Sequence, residues 1–226
     1  QPLGDSNSFI QKFNAKIREN PHSDLDAEKI IGKNVVGFYN NNAKQTIIIG
    51  AHYDHLGYGQ VGSLSTLEKQ VHNGADDNAS GVALMINLIP ELIDYKYYNY
   101  LFIAFSGEEL GLYGSTYFAK YPTIDLSQVR YMLNFDMVGR LNKQRTLLVN
   151  GAGTSSKWEN LVEESNTYNF ELKTTPSGFG ASDHTPFYNR KIPVLHFFTG
   201  QHDDYHKPSD DIDKINFDGI YDISLY

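Results

Sequence analysis

The 226-residue chain contains no cysteine. That removes disulfide scaffolds, cysteine nucleophiles and thiolate zinc sites together, so any metal must be held by imidazole and carboxylate. It leaves the compartment open, because cytosolic and periplasmic proteins can equally lack the residue. Long apolar runs are missing too. None approaches the roughly 20 residues of a membrane-spanning helix, so no membrane span is expected. Positive charge is scarce: 19 Lys and Arg face 27 Asp and Glu, for a net charge of −8. Phosphate binding needs clustered Lys and Arg, so nucleic acid is not an expected partner. Repeats, low-complexity tracts and linkers are absent, and the chain reads as one domain over residues 1–226. The opening Gln1-Pro2-Leu3-Gly4 carries neither a signal peptide nor an initiator Met, and reads as a processed or trimmed start.

Apolar residues make up 40% of the sequence, enough for a large core. Tyrosine and phenylalanine, at 16 and 13 residues, suit an aromatic-walled pocket. Residues 1–33 are expected to be a helical segment packing on the domain, with Ser8 to Glu19 helical and Phe9, Ile10, Phe13 and Ile17 on one side. Beyond it, β-branched and aromatic runs alternate with helical patterns. Asn34 to Tyr39, Thr46 to Ala51, Tyr100 to Phe105, Val129 to Phe135, Thr146 to Asn150, Phe170 to Thr174 and Ile192 to Phe198 read as strands. Ala79 to about Tyr95, Leu112 to Ala119, Ser156 to Asn166 and a last segment from Asn216 read as helices. The alternation predicts a three-layer α/β/α domain with a mostly parallel, mixed central sheet.

In such sheets, ligands bind outside the carboxyl ends of the strands. Residues suited to chemistry collect there. His52 closes one strand, Glu108 and Glu109 follow another, Asp136 closes a third, and His206 lies beyond the last. Val71-His72-Asn73-Gly74-Ala75-Asp76-Asp77-Asn78-Ala79-Ser80-Gly81 adds two adjacent acids in a Gly-bounded turn before a helix that Asn78 or Ser80 can cap. Adjacent carboxylates raise each other's pKa unless something positive holds them. Two His and three carboxylates suit a pair of ions, zinc above all, that share a bridging carboxylate and a water. Asp76 is the expected bridge and Asp77 a structural residue of the turn. Glu108, beside the ligand Glu109, is placed to take the water's proton. Asp54, two residues past His52, is placed to hold the other imidazole nitrogen.

His52-Tyr53-Asp54, Gly74 to Gly81, Ser106-Gly107-Glu108-Glu109-Leu110-Gly111, Asn134-Phe135-Asp136-Met137 and Tyr205-His206 resemble, in order, the motifs of the M28 zinc aminopeptidases. Ser182-Asp183-His184 before Pro186-Phe187 adds to the likeness, which covers roughly residues 34 to 220. The resemblance implies a zinc-exopeptidase fold and hydrolysis of N-terminal residues from peptides. It also implies two Zn2+ per chain, held by His52, Asp76, Glu109, Asp136 and His206. Glu108 would be the general base, Asp54 the partner of His52, and Tyr205 a candidate to steady the oxyanion. His184 either lines the substrate pocket or is a buried structural residue. Export to the periplasm or the cell exterior is a further implication. The runner-up is a glutaminyl cyclase, an acyltransferase on the same fold with one zinc. An intact His52-x-Asp54 speaks against it. A carboxypeptidase would need a cationic clamp from Arg140, Arg190 or Lys207. A binding domain with a decayed site would have lost chemical positions that are all filled here. The aromatic content favours an apolar first residue in the substrate.

Overall fold

The computed structural model describes residues 1–4, 8–17, 28–66 and 70–226. Its centre is a run of strands whose side chains are buried on both faces. Strand β3 (Thr46–His52) is buried at every position, and β4 (Asn99–Phe105) at all but one. They pair in parallel with each other, β3 pairs in parallel with β5 (Val129–Phe135), and β5 with β8 (Val194–Phe198). Alternation along these strands feeds two cores. Ile47, Ile49, Tyr100 and Phe102 face one layer, and Ile48, Leu101, Ile103 and Phe105 face the other. The first layer is built by helices α1 (Gly81–Leu92), α3 (Trp158–Glu164) and α5 (Phe217–Leu225), through Leu84, Met85, Leu88, Trp158, Val162, Ile220 and Ile223. The second is built by α2 (Tyr113–Lys120) and α4 (His184–Tyr188), through Phe118 and Phe187. The expected α/β/α layering is therefore observed, on an eight-stranded mixed sheet of order β1-β2-β4-β3-β5-β8-β6-β7.

The N-terminal segment departs from expectation. Residues read as a helix form strand β1 (Ile10–Ile17), paired antiparallel with β2 (Glu28–Tyr39), which in turn pairs antiparallel with β4. Positions 18 and 19 of the expected helix lie outside the described residues. The inward positions of β1 are Gln11, Phe13 and Ala15. Phe13 packs where Gly32 has no side chain and stacks on Tyr117 at 5.5 Å. Gln11 hides the alternation because it is polar yet 3% exposed. Its amide donates to Tyr121 O at 2.8 Å and accepts from Asn34 Nδ2 at 3.0 Å. Asn34 also accepts from Ser106 N at 3.2 Å, tying β2 to the loop that carries Glu108. On the far side, β6 (Thr146–Asn150) runs antiparallel to β8, and β7 (Glu171–Thr175) is the edge strand that the sequence indicates.

The parallel strands set the site. The chain leaves β3 towards β4 on one side, then returns across it to β5 on the other. A crevice therefore opens beyond the carboxyl ends of β3 and β5. His52 ends β3, the 106–109 loop follows β4, Asp136 follows β5, and the 199–211 segment follows β8.

Candidate metal centre

His52 is 1% exposed. Its Nδ1 lies 3.1 Å from the carbonyl of Asp54, which turns Nε2 toward Asp77 Oδ1 at 3.3 Å and Asp136 Oδ1 at 3.4 Å. The other oxygen of Asp77 lies 3.3 Å from His206 Nε2, and the same nitrogen is 3.1 Å from Glu109 Oε2. One carboxylate thus stands between two donor sets: His52 with Asp136, and His206 with Glu109. Donor atoms of His52, Asp77 and Asp136 all fall within 4.8 Å of one another, the spacing of a metal cage.

The carboxylate in that position is Asp77, which corrects the expectation for Asp76. Asp76 is fully buried and turned away; its Oδ1 accepts from Gly139 N at 2.6 Å and its Oδ2 meets His202 Nε2 at 3.1 Å. Residues 75–80 form one wide turn in which Asp77 (φ −105°, ψ 86°) and Asn78 (φ −137°, ψ 40°) leave the helical region. That break sends successive carboxylates to opposite sides. Asn78, not Ser80, serves the start of α1: its Oδ1 accepts from Gly81 N at 3.0 Å and from Met137 N at 3.1 Å.

Asp54 also acts differently from expectation. Its carboxylate is 3.9 Å from His52 Nδ1, and it accepts instead from Glu108 N at 3.1 Å and Glu109 N at 3.4 Å. The backbone orients the histidine, and the side chain holds the two glutamates. Asp136 is held by Ser182 Oγ, 2.5 Å from its Oδ2, and Ser182 is held by Asn134 Nδ2 at 2.7 Å. His206 is fixed by its own Nδ1, 2.9 Å from Gly62 O, so the loop segment that carries Gly62 supports the site. Tyr205 stacks on the His206 ring at 3.9 Å. Burial, with Asp77 and Glu109 nearby, raises its hydroxyl, which therefore stays a proton donor. His184 is fully buried beneath Gly180 and stacks on His196. Burial pushes it down to about 2.

Three residues of the centre went unassigned in the sequence. His55 Nδ1 lies 2.8 Å from Glu109 Oε1, a short step past His52-x-Asp54. His202 holds Asp76. Asp210 is the third, and its signal was an acid four residues after His206. It is 1% exposed; its Oδ2 accepts from the backbone of Asp76 at 2.8 Å and of Asp77 at 3.1 Å. Its Oδ1 accepts from Arg140 Nη2 at 2.8 Å, and Arg140 also reaches Asp204 at 3.3 Å.

Electrostatics follow from the crowding. Burial holds the Glu108 carboxyl well above the usual carboxylate range, helped by Asp136, Asp183 and Glu109 and opposed by His52. Burial works against a proton on His206, yet its contacts with Asp77 and Glu109 push it up to about 10. His52 is likewise raised against burial, by Asp136 and Asp77. Such a cluster calls for positive charge, and its donors, carboxylate and imidazole, fit a pair of borderline cations. The groups open into a cavity of about 790 Å3 that also takes in Met137, Leu148, Asn150, His196, Phe198 and Tyr205.

Removing the Asp210 carboxylate leaves two backbone N–H groups and a largely buried guanidinium without their partner. Asp210→Ala should cost about 3 kcal/mol in urea unfolding. Asp211→Ala, which loses one exposed contact with Asn73, should cost under about 1 kcal/mol. Equal costs would remove Asp210 from this role.

The chain is similar to several known proteins. "Aminopeptidase YwaD" of Bacillus subtilis is 27% identical over 223 residues, covering 94% of this chain and 46% of that protein. "Leucine aminopeptidase 2" of Trichophyton rubrum is 28% identical over 185 residues, covering 76% and 33%. Among solved structures, BSAP, a zinc aminopeptidase from Bacillus subtilis, superposes with a TM-score of 0.69 at 26% identity, over 88% of this chain and 50% of that one. Porphyromonas gingivalis glutaminyl cyclase shares the fold, with a TM-score of 0.73 at 20% identity over 96% and 81%. The chain spans about half the length, or less, of the aminopeptidases it matches. Residues 34–225 match the profile of Peptidase family M28, and with the acid and histidine cluster at the carboxyl ends of its parallel strands, the chain belongs to that family.

Proposed function

We propose that this chain is a zinc-dependent aminopeptidase domain that releases N-terminal residues from peptides and holds two Zn2+ per chain. The observation that carries the proposal is Asp77, whose two oxygens address two separate donor sets. In this reading His52 and Asp136 would hold one ion and Glu109 and His206 the other, with Asp77, which faces both sets, available to each. Bound zinc supplies an acidified water and polarises the scissile carbonyl. Glu108 then takes the water's proton and passes it to the leaving amine; its raised basicity suits that work. Its backbone is held by Asp54, so the carboxylate meets the water in a fixed position. The Tyr205 hydroxyl is available to donate to the oxyanion.

Two observations weigh against the neighbouring readings. His52 lies within 3.4 Å of both Asp77 and Asp136, which supports a complete second site and disfavours a one-zinc cyclase. Arg140 is engaged by Asp204 and Asp210, so it is poorly placed to clamp a substrate C-terminus. Among the described residues no helix is long and apolar enough to cross a membrane. Export belongs to the proposal on the ground of the family resemblance.

Asp77→Ala should lose both ions. Asp76→Ala should keep both and weaken only the turn, through loss of its Gly139 and His202 contacts. Metal analysis after dialysis decides it, and zinc loss confined to Asp76→Ala would reverse the assignment.

Glu108→Gln should retain two zinc ions while turnover falls by about 10²–10⁴-fold. Glu109→Gln should lose zinc, with partial rescue by excess metal, because an amide is a poor replacement for a ligating carboxylate. Zinc loss in Glu108→Gln with retention in Glu109→Gln would mean that the roles are exchanged.

Zinc binding should release protons at neutral pH. His206 is protonated below about 10 in the metal-free chain and must be neutral to ligate. Apparent zinc affinity should therefore rise with pH between 6 and 9. Calorimetry in buffers of different ionisation enthalpy counts the protons, and no release would remove His206 from the ligand set.

A further inference from the structure

The cavity contains a second polar group that the metal centre leaves unused. His196 lies on β8, opposite Asn134 of β5 and Asn150 of β6, and is 8% exposed. Its ring is fixed from three sides. His184 stacks on it at 4.5 Å and 12°, Phe198 lies parallel at 6.0 Å and 12°, and Asn150 Nδ2 meets its Nδ1 at 3.1 Å. Asn150 is itself held, its Oδ1 accepting from Thr175 Oγ1 at 2.8 Å. Nε2 has no partner among the described residues. Buried polar atoms are rarely left so, and an unpaired one on a side chain that lines the cavity points to a ligand atom. Burial lowers the pKa of both His196 and His184, so this end of the cavity is uncharged.

Strand register gives the pocket a pattern. Leu148 pairs with Phe198, and Asn150 with His196. Alternation places these four side chains on one face, an apolar pair beside a polar pair. Asp136 stands two residues beyond Asn134, the partner of His196 on the neighbouring strand. Strand spacing and rise put the two on the order of 8 Å apart, within reach of one side chain extending from a carbonyl at the metal centre. A substrate side chain seated there runs its stem along Leu148 and Phe198 and ends at His196. With Asn150 Nδ2 donating to Nδ1, the neutral ring carries its proton on Nε2, and an amide oxygen accepts from it. A hydrocarbon leaves it unpaired, and a charged tip meets no countercharge from the neutral ring.

We propose that His196, backed by Asn150, is a specificity-determining residue that hydrogen-bonds the side-chain amide of the substrate's first residue, favouring glutamine and asparagine over hydrocarbon side chains. The proposal rests on the aminopeptidase reading and refines it. An apolar first residue, expected from the aromatic content, fits the walls of this pocket and not its end.

The test compares zinc-loaded protein on the p-nitroanilides of glutamine and norleucine, which are similar in length. Glutamine should win by about tenfold or more in kcat/KM, and the ratio should collapse toward one in His196→Phe and in Asn150→Leu. His196→Gln, which restores a neutral hydrogen-bonding tip, should recover part of it, and circular dichroism shows whether each variant folds. Equal rates in the wild type, or a ratio that survives both variants, would overturn the proposal while leaving the aminopeptidase reading intact. Conversion of the glutamine anilide to its pyroglutamyl form without release of the aniline would sink the peptidase reading and support the pocket. If no substrate turns over, calorimetry with free glutamine and free norleucine reads the pocket directly, and equal affinities would overturn the proposal.

Discussion

Four carboxylates, those of Asp77, Glu108, Glu109 and Asp136, and three imidazoles, those of His52, His55 and His206, converge on one small space. The repulsion among the carboxylates has to be offset before anything else in the site can hold. Asp77 sits at the centre of that crowd, so the position of its backbone is the constraint on which the rest depends. Asp210 supplies it by accepting from the N–H groups of Asp76 and Asp77, and Arg140 answers the charge of Asp210. This clasp joins three segments, the turn before α1, the loop after β5 and the long loop after β8. Each of these carries a member of the metal centre.

Around that clasp the chain separates orientation from chemistry. His52 is aimed by a carbonyl, Glu108 and Glu109 by the Asp54 carboxylate, and Asp136 by the Ser182–Asn134 pair. Supporting partners of this kind set which atom of each side chain faces the centre of the cluster. They are built on the buried strands β3, β4 and β5, whose all-round apolar packing leaves little room for the ends to shift. Beyond β8 the design changes. His206 and Tyr205 lie on an irregular segment, held by a contact to Gly62 of another loop. The centre thus has a rigid half and a loop-borne half, and the substrate cavity lies between them.

The chain covers about half the length of the aminopeptidases it resembles. The metal centre and its supports fall within residues 34–225, the span that matches the family. His196 and Asn150 line the same cavity, on strands within that span.

The sequence by itself determined the layering of the fold, because β-branched runs and helical periodicities report burial directly. It also pointed to the strand ends, where His52, Glu108, Glu109, Asp136 and His206 stand out together by residue type and position. It failed where two neighbours had equal chemistry. Asp76 and Asp77 are indistinguishable by type, and only the break in the backbone at Asp77 decides which carboxylate turns toward His52 and His206. It failed again in β1, where buried Gln11 interrupts the apolar alternation and its partners, Asn34 and Tyr121, are distant in sequence. Asp210, His202 and the unpaired nitrogen of His196 were out of reach for the same reason: their roles are relations between segments brought together by the sheet. Residue type and local period can be read along a chain, but the direction in which a side chain points is set by what packs against it.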